Sequence, residues 1–424
     1  MLSPSFSMMF TLVSALASIF ILPTAAFDES RNDNVVAYWG QNSYGATNSN
    51  QANWQKSIDF YCQDNSIDVF PVAFLNVFFG AGGLPSIDLA NTCNVNDDPV
   101  FAGSQLPQCS FLASAIETCQ SKGKIVTISL GGATGAAGFT SDSQATAFAD
   151  QIWNLFLGGS SSTRPFGNAV LDGVDLDIEG GSTAHFVAFV NQLRNHFNGA
   201  SKNYYITAAP QCPFPDAWLG DLINSVAFDA IYVQFYNNFC NVGTSNANFG
   251  TWDNWAKTQS PNKNVKVYLG VPAAQSAAGS GYLPISSLSP IIQSYKAQYS
   301  SFGGVMFWDA SQAYANGRFD AAVKAALQGG SSAPTSPPTT TSQTTTTSKT
   351  TTSTPPATSS PPPPTSGNCA GVNAWVSNVA YNGGDNVVYG GHLWTAKWWS
   401  YGDTPGGSSY QLTQIISVFV NLPI

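Results

Sequence analysis

The chain has 424 residues, of which only 9% are charged, and its formal net charge at pH 7 is −9. Charge this sparse and this negative excludes the electrostatic footprint of a nucleic-acid binder or of a protein held on an anionic membrane. The three histidines, His185, His196 and His392, stand at no ligand-like spacing and the seven cysteines form no C-x-x-C pair, so neither a metal nor another cofactor is expected.

Residues 8 to 26 form an apolar run that leaves through the small residues Thr24, Ala25 and Ala26 before Phe27. No basic residue precedes it, yet the apolar core and small-residue exit fit an export signal over residues 1–26 better than a membrane anchor. No later stretch is apolar enough to span a bilayer. The expectation is a secreted, extracellular monomer, free or held at a cell wall.

From about residue 30 to residue 328 one theme repeats: a short β-branched and aromatic run, then Gly, Asn or Ser, then a longer segment of helical character. The runs begin at Val35–Trp39, Ile67–Phe74 and Lys124–Leu130, continue through Leu171–Gly181, and close with Tyr204–Ala209, Ala230–Tyr236, Val265–Val271 and Gly304–Trp308. Eight strands alternating with helices in this length predict an α/β fold, a (β/α)8 TIM barrel over residues 27–328, with its active face at the C-terminal strand ends. Polar and aromatic residues do gather there: Gln41 and Asn42, Gly131 and Gly132, Glu179, Gln211, Gln234 and Tyr236, then Trp308 and Asp309. An open doubly wound sheet would want a G-x-G-x-x-G loop after an early strand, and none is there.

The fourth run is unusual. Asp175, Asp177 and Glu179 fall on one face of a strand and Val174, Leu176 and Ile178 on the other. Three carboxylates in register on an inner face need a reason, because an unpaired buried charge costs several kcal/mol. A calcium loop would space its acids with an interior Gly, whereas apolar residues separate these. The pattern reads as a proton relay ending in one exposed acid at Glu179.

Residues 329–367 are a Ser/Thr/Pro-rich spacer, with Lys349 the one charge between residues 331 and 366. Such a segment is extended and suited to O-glycosylation, and the chain has no N-x-[ST] sequon. Residues 368–410 form a small β-rich unit dense in aromatics, including Trp375, Trp394, Trp398 and Trp399. That is more ring surface than so few residues can hide, so some rings are expected to stack on sugars. Residues 411–424 read as an atypical apolar tail that stays unpaired.

Glycoside hydrolysis usually needs two facing carboxyl groups, and the strand ends offer few partners for Glu179. Asp309 and Asp216 are poorly placed by sequence, and Asp177 lies one pleat back on the same strand, roughly 7 Å away. The nucleophile then belongs to the substrate. A 2-acetamido group attacks its own anomeric carbon while Glu179 protonates the leaving oxygen, Asp177 holds the acetamido N–H and Tyr236 bonds its carbonyl. Trp308 floors the sugar, and Asp175 shares a proton with Asp177. The acidic company should raise the pKa of Glu179.

These residues resemble glycoside hydrolase family 18, in particular fungal plant-type class III chitinases. The D-G-x-D-x-D-x-E signature stands at Asp172–Glu179 and S-x-G-G at Ser129–Gly132, with similarity also at Tyr38–Asn42, Gln234–Tyr236 and Trp308. The resemblance implies endo-type, retaining chitin hydrolysis with Glu179, Asp177, Asp175 and Tyr236 as catalytic residues. It implies binding of chitin and chitooligosaccharides through Gln234, Trp308, Asn237, Gln211, Gly132, Trp398 and Trp399. It further implies disulfides Cys62–Cys119, Cys93–Cys109 and Cys212–Cys240. The C-terminal unit is similar to chitin-binding type 3 modules through Ala374-Trp375, Ala380–Asp385 and Gly391–Trp399. It departs from them after Gly407, which leaves Cys369 without its usual partner. The alternatives to chitin hydrolysis are a lectin-like or inhibitory barrel that only binds, and an endo-β-N-acetylglucosaminidase.

Overall fold

The computed structural model describes residues 27–133 and 137–330, together with 372–376, 380–381, 386–389, 392–396, 400–401 and 419–422. The expected export signal, the spacer from residue 331 onward, Cys369, Trp398, Trp399 and residues 411–418 and 423–424 lie outside the described residues.

Eight parallel strands close into a barrel, as the eight apolar runs predict. They are β1 (Asn34–Ala37), β2 (Val69–Val77), β4 (Ile125–Gly132), β5 (Gly173–Ile178), β6 (Tyr205–Ala208), β7 (Ala230–Gln234), β8 (Lys266–Pro272) and β9 (Phe302–Trp308). The short strand β3 (Ser86–Ile87) adds antiparallel to the edge of β2. Neighbouring barrel strands pair in sequence order, and β1 closes the ring by pairing with both β9 and β2. The crossover segments carry helices such as Asp142–Phe156, Phe186–Phe197 and Phe249–Thr258, which bury their apolar sides against the outside of the barrel.

Two apolar layers result. One lies between strands and helices and contains Val174, Leu176 and Ile178, the outward face of β5. The other fills the barrel itself with Val36, Tyr38, Val69, Phe74, Tyr232, Tyr236, Tyr268 and Met306. Opposite faces of one strand thus feed different layers, which is the period-2 alternation expressed in three dimensions.

At the N-terminal end of the barrel one device repeats at the second, fourth and sixth barrel strands. An aspartate immediately before the strand accepts the first N–H groups of the preceding one: Asp68 from Val35 N, Asp172 from Val126 N and Asp229 from Ile206 N. Each also meets a base from outside the barrel, at 2.6 Å for Lys324, 2.6 Å for Lys202 and 2.9 Å for Arg194. Asp172, the first acid of the signature, is therefore an architectural residue.

The three disulfides are Cys62–Cys119, Cys93–Cys109 and Cys212–Cys240, the pairing implied by the resemblance, with Cα separations of 5.5, 6.2 and 5.9 Å. In the C-terminal unit, β10 (Ala380–Tyr381) pairs with β13 (Ser400–Tyr401), and β11 (Asn386–Tyr389) pairs with β12 (His392–Ala396). The tail corrects an expectation. Residues 419–422 are not left unpaired, because β14 (Phe419–Leu422) joins β12 antiparallel, with Leu393 opposite Leu422 and Ala396 opposite Phe419. Phe419 and Val420 have the β propensity of a strand, a signal too short to stand out within the longer apolar tail.

Candidate active site

Parallel pairing sets what stands beside each acid of β5. Ser129 on β4 and Thr207 on β6 are in register with Asp175, so their side chains flank it at the same height. Asp175 is fully buried, and its carboxylate accepts from Thr207 Oγ1 at 2.6 Å, Ser129 Oγ at 2.7 Å and Tyr38 Oη at 2.8 Å. Burial raises its pKa and the three hydroxyl bonds oppose that rise.

One layer up, Gly131 is the register partner of Asp177. A Cβ there would lie 2.5 Å from the Asp177 carbonyl oxygen, so the residue has to be glycine for the strands to approach. Asp177 is 3% exposed and accepts from Gln234 Nε2 at 3.0 Å. Burial and then the charges of Glu179, Asp175 and Asp216 push its pKa well above the usual carboxylate range.

Glu179 sits just beyond β5, partly open to solvent, where Gln211 Nε2 reaches Oε2 at 3.4 Å. Its pKa is raised first by burial of its carboxyl and further by Asp216, while the Gln211 bond lowers it. The expected rise holds, and Asp216 joins Asp177 as an acidic neighbour of Glu179. Asp216 is tied down by Gln211 N, Trp218 N and Leu219 N, and Asp309 likewise caps the helix Ala310–Ala315 and accepts from Ser43 N. Both carboxylates that might have faced Glu179 are thus engaged in holding loops.

The other expected residues separate into two groups. Tyr236 is buried beside Asp177 and Glu179, whose charges together with burial hold its phenol well above its ordinary pKa, so it remains a donor. Trp308 stands half-exposed across the barrel mouth, stacked with Phe74 at 5.9 Å and 17°. Gly132 underlies that stack, since a Cβ would fall 2.8 Å from the Phe74 ring. Gln234, expected to bind substrate, has its amide N–H groups on Asp177 and on the Ala209 carbonyl, and so orients Asp177. Asn237 is exposed, and its side-chain oxygen accepts from Ser280 N. Gln211 stands between Asn238, which donates to its Oε1, and Glu179.

Sequence reasoning passed over Tyr38, Ser129, Thr207, Asp216 and Asn238 as site residues. Tyr38 and Ser129 stood inside the motifs that carry the resemblance and Asp216 was weighed only as a facing acid; assigning any of the five to a particular partner requires the inter-strand register and the loop contacts.

The chain thus combines a closed (β/α)8 barrel with a C-terminal mouth that carries one open acid, a deeper acid of raised pKa, a buried phenol and a stacked indole. The chain belongs to the glycosyl hydrolases family 18, whose pattern matches residues 34–282, while residues 374–414 match carbohydrate-binding module family 5/12. Among similar proteins, Chitinase 2 of Rhizopus oligosporus is 50% identical over 322 residues, 76% of this chain and 57% of that protein. The chain spans between 51% and 61% of the length of this and two further fungal chitinases of comparable identity. The crystal structure of the ICChI chitinase from Ipomoea carnea superposes with a TM-score of 0.57 at 33% identity, over 69% of this chain and 98% of that one. The xylanase and α-amylase inhibitor protein XAIP-II from Scadoxus multiflorus superposes with a TM-score of 0.56 at 32% identity, over 70% and 99%.

Proposed function

We propose that the protein is a secreted endochitinase that hydrolyses β-1,4-linked N-acetylglucosamine polymers with retention, using the substrate's own acetamido group as nucleophile. The observation that carries this reading is the layered acid stack: Asp175 held by three hydroxyls, Asp177 above it with a strongly raised pKa, and Glu179 open to the mouth. Glu179 delivers a proton to the glycosidic oxygen, and Asp177 fixes the acetamido N–H while Tyr236 donates to its carbonyl. The acetamido oxygen closes on the anomeric carbon, the aglycone departs, and Glu179 then takes a proton from the water that reopens the ring. Trp308 carries the sugar at the cleavage point.

Asp175 and Asp177 share one proton as a coupled pair; it leans to Asp177 in the free enzyme, because hydroxyls already meet both Asp175 oxygens, and moves to Asp175 when Asp177 takes up the acetamido N–H. The organisation that accompanies this reading is an export signal over 1–26, a catalytic barrel over 27–328, a spacer over 329–367 and a chitin-binding unit beyond it. The protein works as an extracellular monomer on chitin and its oligomers, without a cofactor.

An inhibitor of similar fold makes a purely binding barrel the second reading. Both are tested by hydrolysis of chitin hexamer with wild type beside Glu179→Gln, the fresh product's anomer being read by NMR. The hydrolase reading expects β-anomer from wild type and a loss of at least about 100-fold in the variant. Wild type that binds hexamer without cleaving it supports the binding reading.

A further inference from the structure

Phe239 is 67% exposed, the largest exposure among the large hydrophobic side chains of the described barrel. An isolated apolar ring on a mobile loop would mean little. This one stands five residues after the end of β7, on a braced turn that begins at Asn238. Cys240, its neighbour, is bonded to Cys212 in the loop after β6. Asn238, its other neighbour, donates from its side chain to Gln211 Oε1 and closes the turn with its backbone: its N–H donates to Asn241 Oδ1 and its carbonyl accepts from Asn241 N. Asn241 in turn donates to Ser280 Oγ. The ring is therefore held out in water by a cross-linked frame, where apolar surface is unfavourable.

The direction of the frame supplies the rest. Gln211, which Asn238 braces, is the residue bonded to Glu179. The stacked Trp308 lies on β9, four strands around the eight-stranded ring from β5 and so on the far side of the mouth from Glu179. A sugar chain cleaved over Glu179 with its glycone end on Trp308 sends its leaving end away from Trp308, toward the loops that follow β4, β5 and β6. Phe239 follows β7, midway round the ring between β5 and β9, and the Cys240–Cys212 disulfide and the Asn238–Gln211 bond tie its turn to the loop after β6.

On the hydrolase reading above, we infer that Phe239 is a leaving-group-side sugar platform, stacking on an N-acetylglucosamine unit beyond the scissile bond. Its contribution is to binding and product pattern, and it touches no reacting atom.

The test uses the full chain with Phe239→Ala and Phe239→Trp. For each, kcat/KM is measured on chitin hexamer, which occupies the leaving-group side with sugar, and on an aryl glycoside of chitobiose, which does not. The inference expects the hexamer-to-aryl ratio to fall about 3- to 10-fold in Phe239→Ala, the range a stacked ring contributes, and to be restored in Phe239→Trp. The hexamer product distribution shifts with it. An unchanged ratio and product pattern in an active enzyme overturns the platform and leaves the hydrolase reading standing. Should wild type prove inert, hexamer affinity decides: Phe239→Ala must weaken binding by a similar factor in the Glu179→Gln background, and equal affinity overturns the inference. Unfolding midpoints of the variants are compared to exclude loss of the frame.

Discussion

Replacing Tyr38 by Phe removes one oxygen from the centre of the molecule and leaves its ring against Phe74 and Trp308, at centroid distances of 6.4 and 5.7 Å. What disappears is the 2.8 Å bond from Tyr38 Oη to Asp175 Oδ2, one of three donors to a fully buried carboxylate. A hydrogen bond to a charged group contributes about 1.5–3 kcal/mol, and one to a neutral group about 0.5–1.5. The difference between the two, about 1 kcal/mol, is what losing the bond adds to the rise of the Asp175 pKa. The sign follows from where Asp175 already lies. Burial lifts its folded pKa above the unfolded value, so ionising it opposes folding as pH rises through the folded value. The variant raises that folded value further. Its stability loss is therefore small below about pH 4, where the proton stays on in both proteins, and grows to the full 1.5–3 kcal/mol above the variant's folded pKa. Urea unfolding of wild type and Tyr38→Phe between pH 3.5 and 8 measures this. A loss independent of pH, or one under about 0.5 kcal/mol at pH 7, refutes the claim that Tyr38 solvates an ionised Asp175.

Asp216→Asn removes the negative charge that helps raise Glu179, so the alkaline limb of the kcat/KM profile should move to lower pH; an unmoved limb shows that burial alone sets that pKa. Gly132→Ala places a methyl 2.8 Å from the Phe74 ring at φ +77° and should destabilise the fold by about 1–3 kcal/mol, read by chemical unfolding. A shift within experimental error would mean that Phe74 moves freely, and the stack on Trp308 with it. Lys324→Met leaves Asp68 buried beside Val35 N without its 2.6 Å partner, and should cost about 3–5 kcal/mol, largely recovered by adding Asp68→Asn. A single variant as stable as wild type would show the pair to be without energetic weight.

The barrel was legible because its eight strands are buried on both faces and so read as short continuous β-branched and aromatic runs, while the acids of β5 broke that pattern at alternate positions. Glu179 and Asp177 could be found on this basis alone. The residues that tune them could not. Ser129 and Thr207 are ordinary strand residues until β4 and β6 are aligned with β5, and Asp216 becomes an acidic neighbour of Glu179 only through a loop held by three backbone N–H groups. Gln234 illustrates the converse: it was recognised as important by position, yet its hydrogen bonds make it a support for Asp177. Side-chain identity along one strand is written in one dimension, whereas these roles depend on which strands lie side by side.

The pairing of Phe419–Leu422 with His392–Ala396 places the middle strand of the C-terminal sheet between two neighbours, one of them drawn from beyond residue 414, where the family 5/12 match stops. A fragment cut at that limit would present a row of unmatched N–H and C=O groups along His392–Ala396, an invitation to another chain's strand. Such a fragment is expected to self-associate by strand addition, and the boundary suited to handling the unit by itself lies past Leu422.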